Sequence, residues 1–365
     1  MTPDWYVRPS ARHWVDPSPS PPAVRDFHRS LPDYAPTPLV DLPALADELG
    51  VGSVWVKDES SRLGLPAFKI LGASWASARA VAERTRAANR TGASALDLDM
   101  LRTAAAGSGL RLVTATDGNH GRAVAHMARL LGLAASIFVP AVMSPTTAAA
   151  IASEGADVVR IDSHYDDAVA AAARFAADHP ARVLVQDTAW EGYEDVPGWI
   201  VQGYDTLLQE VDEQLGRAPD LVAVPTGVGS LAQAVVSQYR RTDAPHPSVL
   251  SVEPDTAACA LAGLVAGEPV TVATGSTVMA GLNCGTLSSL AWPVLRDGCD
   301  AAVAVTDDDA LRAVEDLATL GVSSGPSGAA TLAGVRKALG EAERREALDL
   351  DGSSVVVLLS TEARH

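Results

Sequence analysis

Apolar runs of four to six residues alternate along the chain with longer Ala/Leu-rich stretches of helical period. The runs Ser53–Lys57, Arg111–Ala115, Ala135–Val139, Asp157–Ile161, Arg182–Gln186, Leu221–Val224, Ser248–Val252, Ala301–Val305 and Ser354–Leu359 predict strands. Helices are predicted over Ser74–Ala87, Asn119–Leu131, Thr146–Glu154, Asp166–Asp178, Pro197–Gln214, Ser230–Arg240, Thr256–Ala266, Asp307–Leu320 and Ser327–Leu339. Nearly continuous apolar strands, each followed by a helix, are what a parallel sheet covered on both faces requires, so the fold class is α/β. These strands are many for one open sheet, and the charged, Gly-containing stretch Glu83–Gly109 reads as a surface excursion. We therefore expect two domains, each a mostly parallel sheet flanked by helices. Residues 1–65 and 188–365 form the larger, and residues 66–187 form a smaller inserted one.

Composition narrows the partners. The 28 Lys and Arg residues against 45 Asp and Glu leave a net charge of −17 over 365 residues, which repels a nucleic-acid backbone or an anionic lipid surface. The longest nearly apolar stretch, Leu130–Met143, is broken by Gly132, Ser136 and Pro140 and falls short of the ~18 residues a spanning helix needs. The chain opens with Asp4 and a Pro/Ser-rich run from Pro17 to Pro22, without the basic flank and apolar segment of a secretory signal. Three cysteines are too few for a disulfide scaffold, which points to the cytoplasm. No metal ligands are assigned, and a homodimer is expected because that is the commonest soluble assembly.

Among the basic residues only Lys57, Lys69 and Lys337 are lysines, and arginine can neither form an imine nor give up its proton near neutral pH. Lys337 reads as a solvated charge on a helix. Lys57, before Asp58 and Glu59, reads as an ion pair at a strand end. Lys69 follows Phe68 in a Gly/Pro-bounded loop running into the helix at Ser74, where the dipole and an apolar neighbour both favour a neutral, nucleophilic amine. An interhelical salt bridge is the competing reading.

Two loops add to this. Thr114-Ala-Thr-Asp-Gly-Asn-His-Gly121 joins a strand end to a helix start, where unpaired N–H groups suit a carboxylate or phenolate oxygen; an ordinary helix cap is the plainer alternative, and His120 reads as a structural hydrogen bond. Pro225-Thr-Gly-Val-Gly-Ser230 also follows an apolar strand. Gly227 and Gly229 let the backbone approach a tetrahedral anion, held by helix N–H groups and the Ser230 hydroxyl. The loop falls too late in the chain for a dinucleotide fingerprint, and it lacks the Gly-Lys-Ser/Thr of a Walker loop.

A lysine after Phe near position 70, an Asp-Gly-Asn-His loop and a late Gly-rich loop together resemble the fold type II pyridoxal 5′-phosphate enzymes, the group of threonine dehydratase and the tryptophan synthase β chain. Six segments sharpen the likeness toward the diaminopropionate ammonia-lyases: Lys57-Asp-Glu-Ser with Ala67-Phe-Lys-Ile-Leu-Gly72, Thr114–Gly121, Gln186-Asp-Thr-Ala-Trp-Glu-Gly-Tyr193, Gly227-Val-Gly-Ser230, Met279–Gly285 and Ser360-Thr-Glu362. The resemblance implies that Lys69 holds the cofactor covalently, Asn119 bonds the ring oxygen, Gly227, Val228, Gly229 and Ser230 cradle the phosphate, and Ser360 faces the pyridine nitrogen. It leaves Asp117 two roles, base at Cα or counter-ion for a second amine, and makes Asp187 the other candidate carboxylate. The implied reaction is β-elimination from 2,3-diaminopropionate or a close analogue to pyruvate and ammonia. Serine or threonine dehydration and β-replacement are the alternatives, and a nicotinamide enzyme or an inactive relative is the reading from another class. The resemblance also allows a Cys259–Cys284 disulfide, against which a reducing cytoplasm favours free thiols. Pro326, Thr226 and the stretch Thr286–Ala291 depart from the lyase pattern and are expected at the mouth of the site.

Overall fold

The predicted apolar runs become strands in the computed structural model, which describes residues 4–18, 24–86, 96–242 and 246–364. In chain order the strands are β1 (Trp5–Val7), β2 (Leu39–Asp41), β3 (Ser53–Asp58), β4 (Arg111–Ala115), β5 (Ala134–Pro140), β6 (Asp157–Ile161), β7 (Arg182–Leu184), β8 (Leu221–Pro225), β9 (Ser248–Pro254), β10 (Ala301–Val305) and β11 (Val355–Ser360). They form two sheets. The larger has the order β1-β10-β9-β8-β11-β3-β2, and the smaller β6-β5-β4-β7. Pairing is parallel throughout except at the larger sheet's edges, where β1 lies antiparallel to β10 and β2 to β3.

Alternation along the inner strands explains why they read as unbroken apolar runs. Val222 and Val224 of β8 face one core with Val357 and Leu359 of β11, while Leu221 and Ala223 face the other with Val356 and Leu358. Both faces are covered by helices, so neither set of positions can be polar. The edges escaped the pattern because β1 and β2 are three residues each and only partly buried.

Several expectations change. The stretch Glu83–Gly109 is not wholly a surface excursion: Leu98–Ala105 is a helix capped by the Asp97 carboxylate, and Leu98, Leu101 and Ala105 are buried in the core at helical spacing. Residues 87–95 of that stretch, with Ala87 of the expected Ser74 helix and most of the Pro17–Pro22 run, lie outside the described residues. The expected Ser74 helix begins at Lys69 and runs to Arg84. The expected Pro197–Gln214 helix is two helices, Asp195–Gly203 and Asp205–Leu215, meeting at the buried Tyr204, whose ring packs on Phe68 with centroids 4.8 Å apart.

Lys57 is ion-paired as expected, but its partner comes from far along the chain. Its ammonium donates to Glu210 Oε2, Gln214 Oε1 and the Thr37 carbonyl, each at 2.8 Å, and Glu210 also accepts from Arg62. Lys337 is not a free solvated charge: it bonds Asp4 Oδ2 and the Ala304 carbonyl, both at 2.8 Å, tying down the chain start before β1. Among the described residues no helix is long and apolar enough to cross a membrane.

Candidate active site

The carboxyl ends of β4 and β7 in the smaller sheet face those of β8 and β11 in the larger, and a cavity of about 230 Å³ lies between them. Ligands of open α/β sheets bind at such ends because the strand-to-helix loops gather there. The cavity brings together Lys69, Asp117, Asn119, Asp187 and all of Gly227–Ser230. Ser360 is not on its wall. It is buried behind, donating to Ser324 Oγ at 2.8 Å, and the lining residues from that strand end are Thr361 and Glu362.

Lys69 opens the helix that its own loop was expected to precede. Phe68 N–H bonds the Thr361 carbonyl at 3.1 Å, and Ala67 pairs with Glu362, so the approach to the lysine is stitched onto the end of β11. Its ammonium donates to Asp187 Oδ2 at 2.8 Å. Here the neutral amine expected from sequence is corrected. Burial alone would lower its pKa, but the adjacent Asp187 carboxylate outweighs burial and holds the amine above its ordinary value. Burial would likewise raise Asp187, and the Lys69 charge instead holds it well below the usual carboxylate range.

Asp187 is placed by its neighbours. The Gln186 side-chain oxygen accepts from Ala115 N–H (2.9 Å) and Thr114 Oγ1 (3.0 Å), and the Gln186 N–H donates to Tyr193 Oη at 2.8 Å. Those contacts give a structural reason for the Gln-Asp…Gly-Tyr string. His120 is structural, as expected: Nε2 lies 2.8 Å from the Val185 carbonyl, and burial lowers its pKa, keeping the ring neutral. Its Nδ1 is buried without a hydrogen-bond partner, 3.9 Å from Asp187 Oδ2.

Asp117 differs from the other carboxylates in having no hydrogen-bond or ion-pair partner among the described residues. The residue is exposed to water through the cavity it lines. Partial desolvation by the surrounding protein, followed by the charge of Asp187, raises its pKa to about 7. Asn119 Nδ2 donates to Glu362 Oε2 at 2.8 Å. Cys284 lines the cavity and Cys259 lies beneath it; neither is bonded to the other, and burial holds both thiols protonated.

The glycine loop is shaped by space. A Cβ on Gly227 would stand 2.9 Å from the Gly281 carbonyl oxygen and 3.2 Å from Cys284 Sγ. Gly229 has φ +93°, and a Cβ there would meet Ala291 at 2.8 Å. The helix Ser230–Tyr239 starts directly afterwards, so its first N–H groups, without partners inside the helix, point at the cavity. The Ser230 hydroxyl is turned aside, donating to the Asp187 carbonyl at 2.9 Å.

Only Pro326 of the three departures reaches the cavity. Thr226 is buried, with its Oγ1 accepting from Ser251 Oγ at 2.7 Å, because the loop leaves β8 still paired to β9. Leu287 and Ala291 pack under Gly229, and Ser288 N–H bonds the Val228 carbonyl at 2.8 Å.

A family model described as pyridoxal-phosphate dependent enzyme matches residues 31–362. The diaminopropionate ammonia-lyase of Salmonella typhimurium is 38% identical over 358 residues, spanning 93% of this chain and 88% of that protein. Two crystal structures of the Escherichia coli diaminopropionate ammonia-lyase, one with D-serine and one with an aminoacrylate-PLP azomethine reaction intermediate, superpose with TM-score 0.87 at 34% identity; each covers 98% of this chain and 94% of the other. The chain belongs to the diaminopropionate ammonia-lyase family. Like the rest of the family it is a fold type II pyridoxal-phosphate enzyme and a carbon–nitrogen lyase.

The family's cofactor fits the residues present. It needs an amine, an anion cradle and a hydrogen-bond donor for its ring oxygen. The cavity offers Lys69, a loop whose two glycines leave no room for a Cβ and which opens onto a helix N-terminus, and the Asn119 amide. Reading the sequence missed Tyr165, Thr147, Ser327 and the role of Glu362. Tyr165 is one aromatic at a helix start, Thr147 and Ser327 are ordinary first-turn residues, and no local pattern marks any of them as facing this cavity.

Proposed function

We propose that the chain eliminates ammonia from 2,3-diaminopropionate, consuming one water and yielding pyruvate and two ammonia. The observation that carries this reading is the pairing state of the cavity's carboxylates. Asp187 is neutralised by Lys69, Glu362 accepts from Asn119 and from the Ser327 N–H, and Asp117 alone is free to meet a cationic side chain or a proton.

Lys69 would hold pyridoxal phosphate, Asn119 its ring oxygen, and Gly227–Ser230 its phosphate. Bound pyridoxal phosphate accepts the charge left at Cα when the proton there is removed. The protein's part is to hold the substrate and move that proton. Asp117, with its pKa at about 7, is ionised in a large share of molecules near neutral pH and accepts the Cα proton from one enantiomer. The Lys69 amine, beside Asp187, would accept it from the other. Asp187, which accepts from Lys69 Nζ at 2.8 Å, orients that side chain. The β-nitrogen leaves already protonated, so no acid on the protein is required for it. Ser360, away from the cavity wall, would act on the ring only through the residues in front of it.

The D-serine complex of the Escherichia coli relative makes serine the second substrate to compare. Release of ammonia and pyruvate should be faster from diaminopropionate than from serine in the same preparation. Faster turnover of serine overturns the assignment, and a visible band that survives Lys69→Ala overturns the role of the lysine. The division into residues 1–65 with 188–365 and residues 66–187 is kept as a proposal, supported by which strands each sheet takes. A homodimer and a cytoplasmic location are proposed with it, the first checked by light scattering.

A further inference from the structure

We propose that Glu362 is a positioning residue that sets the orientation of the Asn119 amide across the cleft. The inference rests on the reading of Asn119 as the donor to the cofactor ring oxygen. Glu362 follows β11 of the larger sheet, while Asn119 begins the helix Asn119–Leu131, which packs on the smaller one. The 2.8 Å bond from Asn119 Nδ2 to Glu362 Oε2 therefore joins the two walls of the cavity.

A carboxylate accepts hydrogen bonds and does not donate them, so this contact dictates which end of the amide faces Glu362. With one Nδ2 hydrogen taken there, the second is left to donate elsewhere, and the flipped amide would set two oxygens against each other. Glu362 is itself fixed. Its Oε1 accepts from the Ser327 N–H at 3.2 Å in the first turn of the helix Pro326–Leu339, and its carbonyl accepts from Gly325 N–H at 2.9 Å. Room for the carboxylate exists because residue 325 is glycine. A Cβ there would lie 3.0 Å from both Glu362 Cγ and Oε1, and 2.7 Å from the Ala363 carbonyl oxygen. Neither Glu362 nor Gly325 has to touch substrate for this arrangement to matter.

The test uses the full-length holoenzyme and reads the pH titration of the bound cofactor's visible band beside the dissociation constant for pyridoxal phosphate. An N–H donated to the ring oxygen favours the form in which that oxygen bears charge without a neighbouring proton, so losing the donor moves the titration midpoint to higher pH. N119A should show this shift and bind the cofactor about tenfold more weakly, the scale of one lost buried hydrogen bond. E362D keeps the charge but withdraws it by one methylene. It should shift the midpoint in the same direction, and E362D/N119A should go no further than N119A. G325A, which leaves Glu362 chemically intact, should reproduce E362D and stands in for it if that variant does not fold. If N119A leaves the midpoint unmoved, the reading of Asn119 falls. If N119A moves it while E362D and G325A do not, or if the E362D and N119A effects add, the role given to Glu362 is wrong.

Discussion

Replacing Asp187 by Asn removes the charge that holds Lys69 protonated and leaves a buried amine with a neutral partner. At 2.8 Å and an effective dielectric of about 20, the pair's Coulomb energy is about 6 kcal/mol, or roughly 4 pH units on the lysine. The Lys69 side chain is one-fifth exposed, so screening trims this, but burial, the largest influence on the amine and one that lowers it, is left without its main opponent. In the parent chain the raised Lys69 contributes stability that is complete below 10.5 and lost as pH rises through its folded value. The lowered Asp187 contributes stability that is present above 3.8 and lost as pH falls through its folded value. Between those limits the pair adds no slope to stability against pH. In Asp187→Asn, burial prevails and Lys69 titrates below 10.5, so between the two values the unfolded chain binds more protons. Stability of the apo-protein then rises with pH, by up to about 1.4 kcal/mol per unit. Urea unfolding of both apo-proteins at pH 7, 8 and 9 measures this directly. The pH midpoint for uptake of pyridoxal phosphate, followed by its visible band, should fall in parallel. Unfolding curves with the same pH slope in both proteins, together with an unmoved uptake midpoint, would show that Asp187 does not control the lysine.

Three further outcomes are expected. Asp117→Asn should keep the coloured cofactor and lose most turnover, and the parent's activity should decline as pH falls below about 7, where the raised Asp117 takes up its proton; a variant without that acidic limb and with full activity would end the base role. Gly227→Ala should weaken pyridoxal phosphate binding tenfold or more and also lower the apo-protein's melting temperature, because the added Cβ at 2.9 Å from the Gly281 backbone oxygen forces the two loops apart. Gly72→Ala should cost about 1–3 kcal/mol in urea unfolding, since its Cβ would sit 2.7–2.9 Å from Ile200 and Tyr204 where the lysine-bearing helix crosses Asp195–Gly203.

The inner strands were legible because parallel sheets covered on both faces demand unbroken apolar runs, and β8, β9, β10 and β11 are buried at every position. The glycine loop and the Asp-Gly-Asn-His loop were legible because they break such runs with residues a plain turn does not need. What was hidden depends on contacts distant in sequence. Nothing near Lys69 announces Asp187, 118 positions away, yet that carboxylate reverses the protonation argued from the local neighbourhood. The partner of Lys57 lies 153 positions on for the same reason. The resemblance implies that Ser360 faces the ring, but its hydroxyl bonds Ser324, and Thr361 and Glu362, beyond the end of β11, line the cavity instead.

Lys57 and Lys69 show what makes a lysine reactive in this chain. Each donates to a carboxylate at 2.8 Å. Burial, the largest influence on Lys57, carries its pKa below 10.5 despite Glu59 and Glu210, and Arg62, which shares Glu210, lowers it further; among the described residues no second guanidinium or ammonium pairs with Asp187, and Lys69 stays above 10.5. On protonation alone Lys57 would be the better nucleophile. It is fully buried, however, with its three hydrogens committed to Glu210, Gln214 and the Thr37 carbonyl, and it does not line the cavity that Lys69 faces. Lys69 faces open space beside a cradle for an anion, so position rather than ease of deprotonation selects it. Incubating the native protein with pyridoxal phosphate, reducing with borohydride and mapping the peptides should therefore place the label on Lys69 and leave Lys57 unmodified. After unfolding in urea the preference should vanish. Native labelling of Lys57 at a comparable level would mean that access does not govern the choice, and the case for Lys69 would then rest on the family likeness alone.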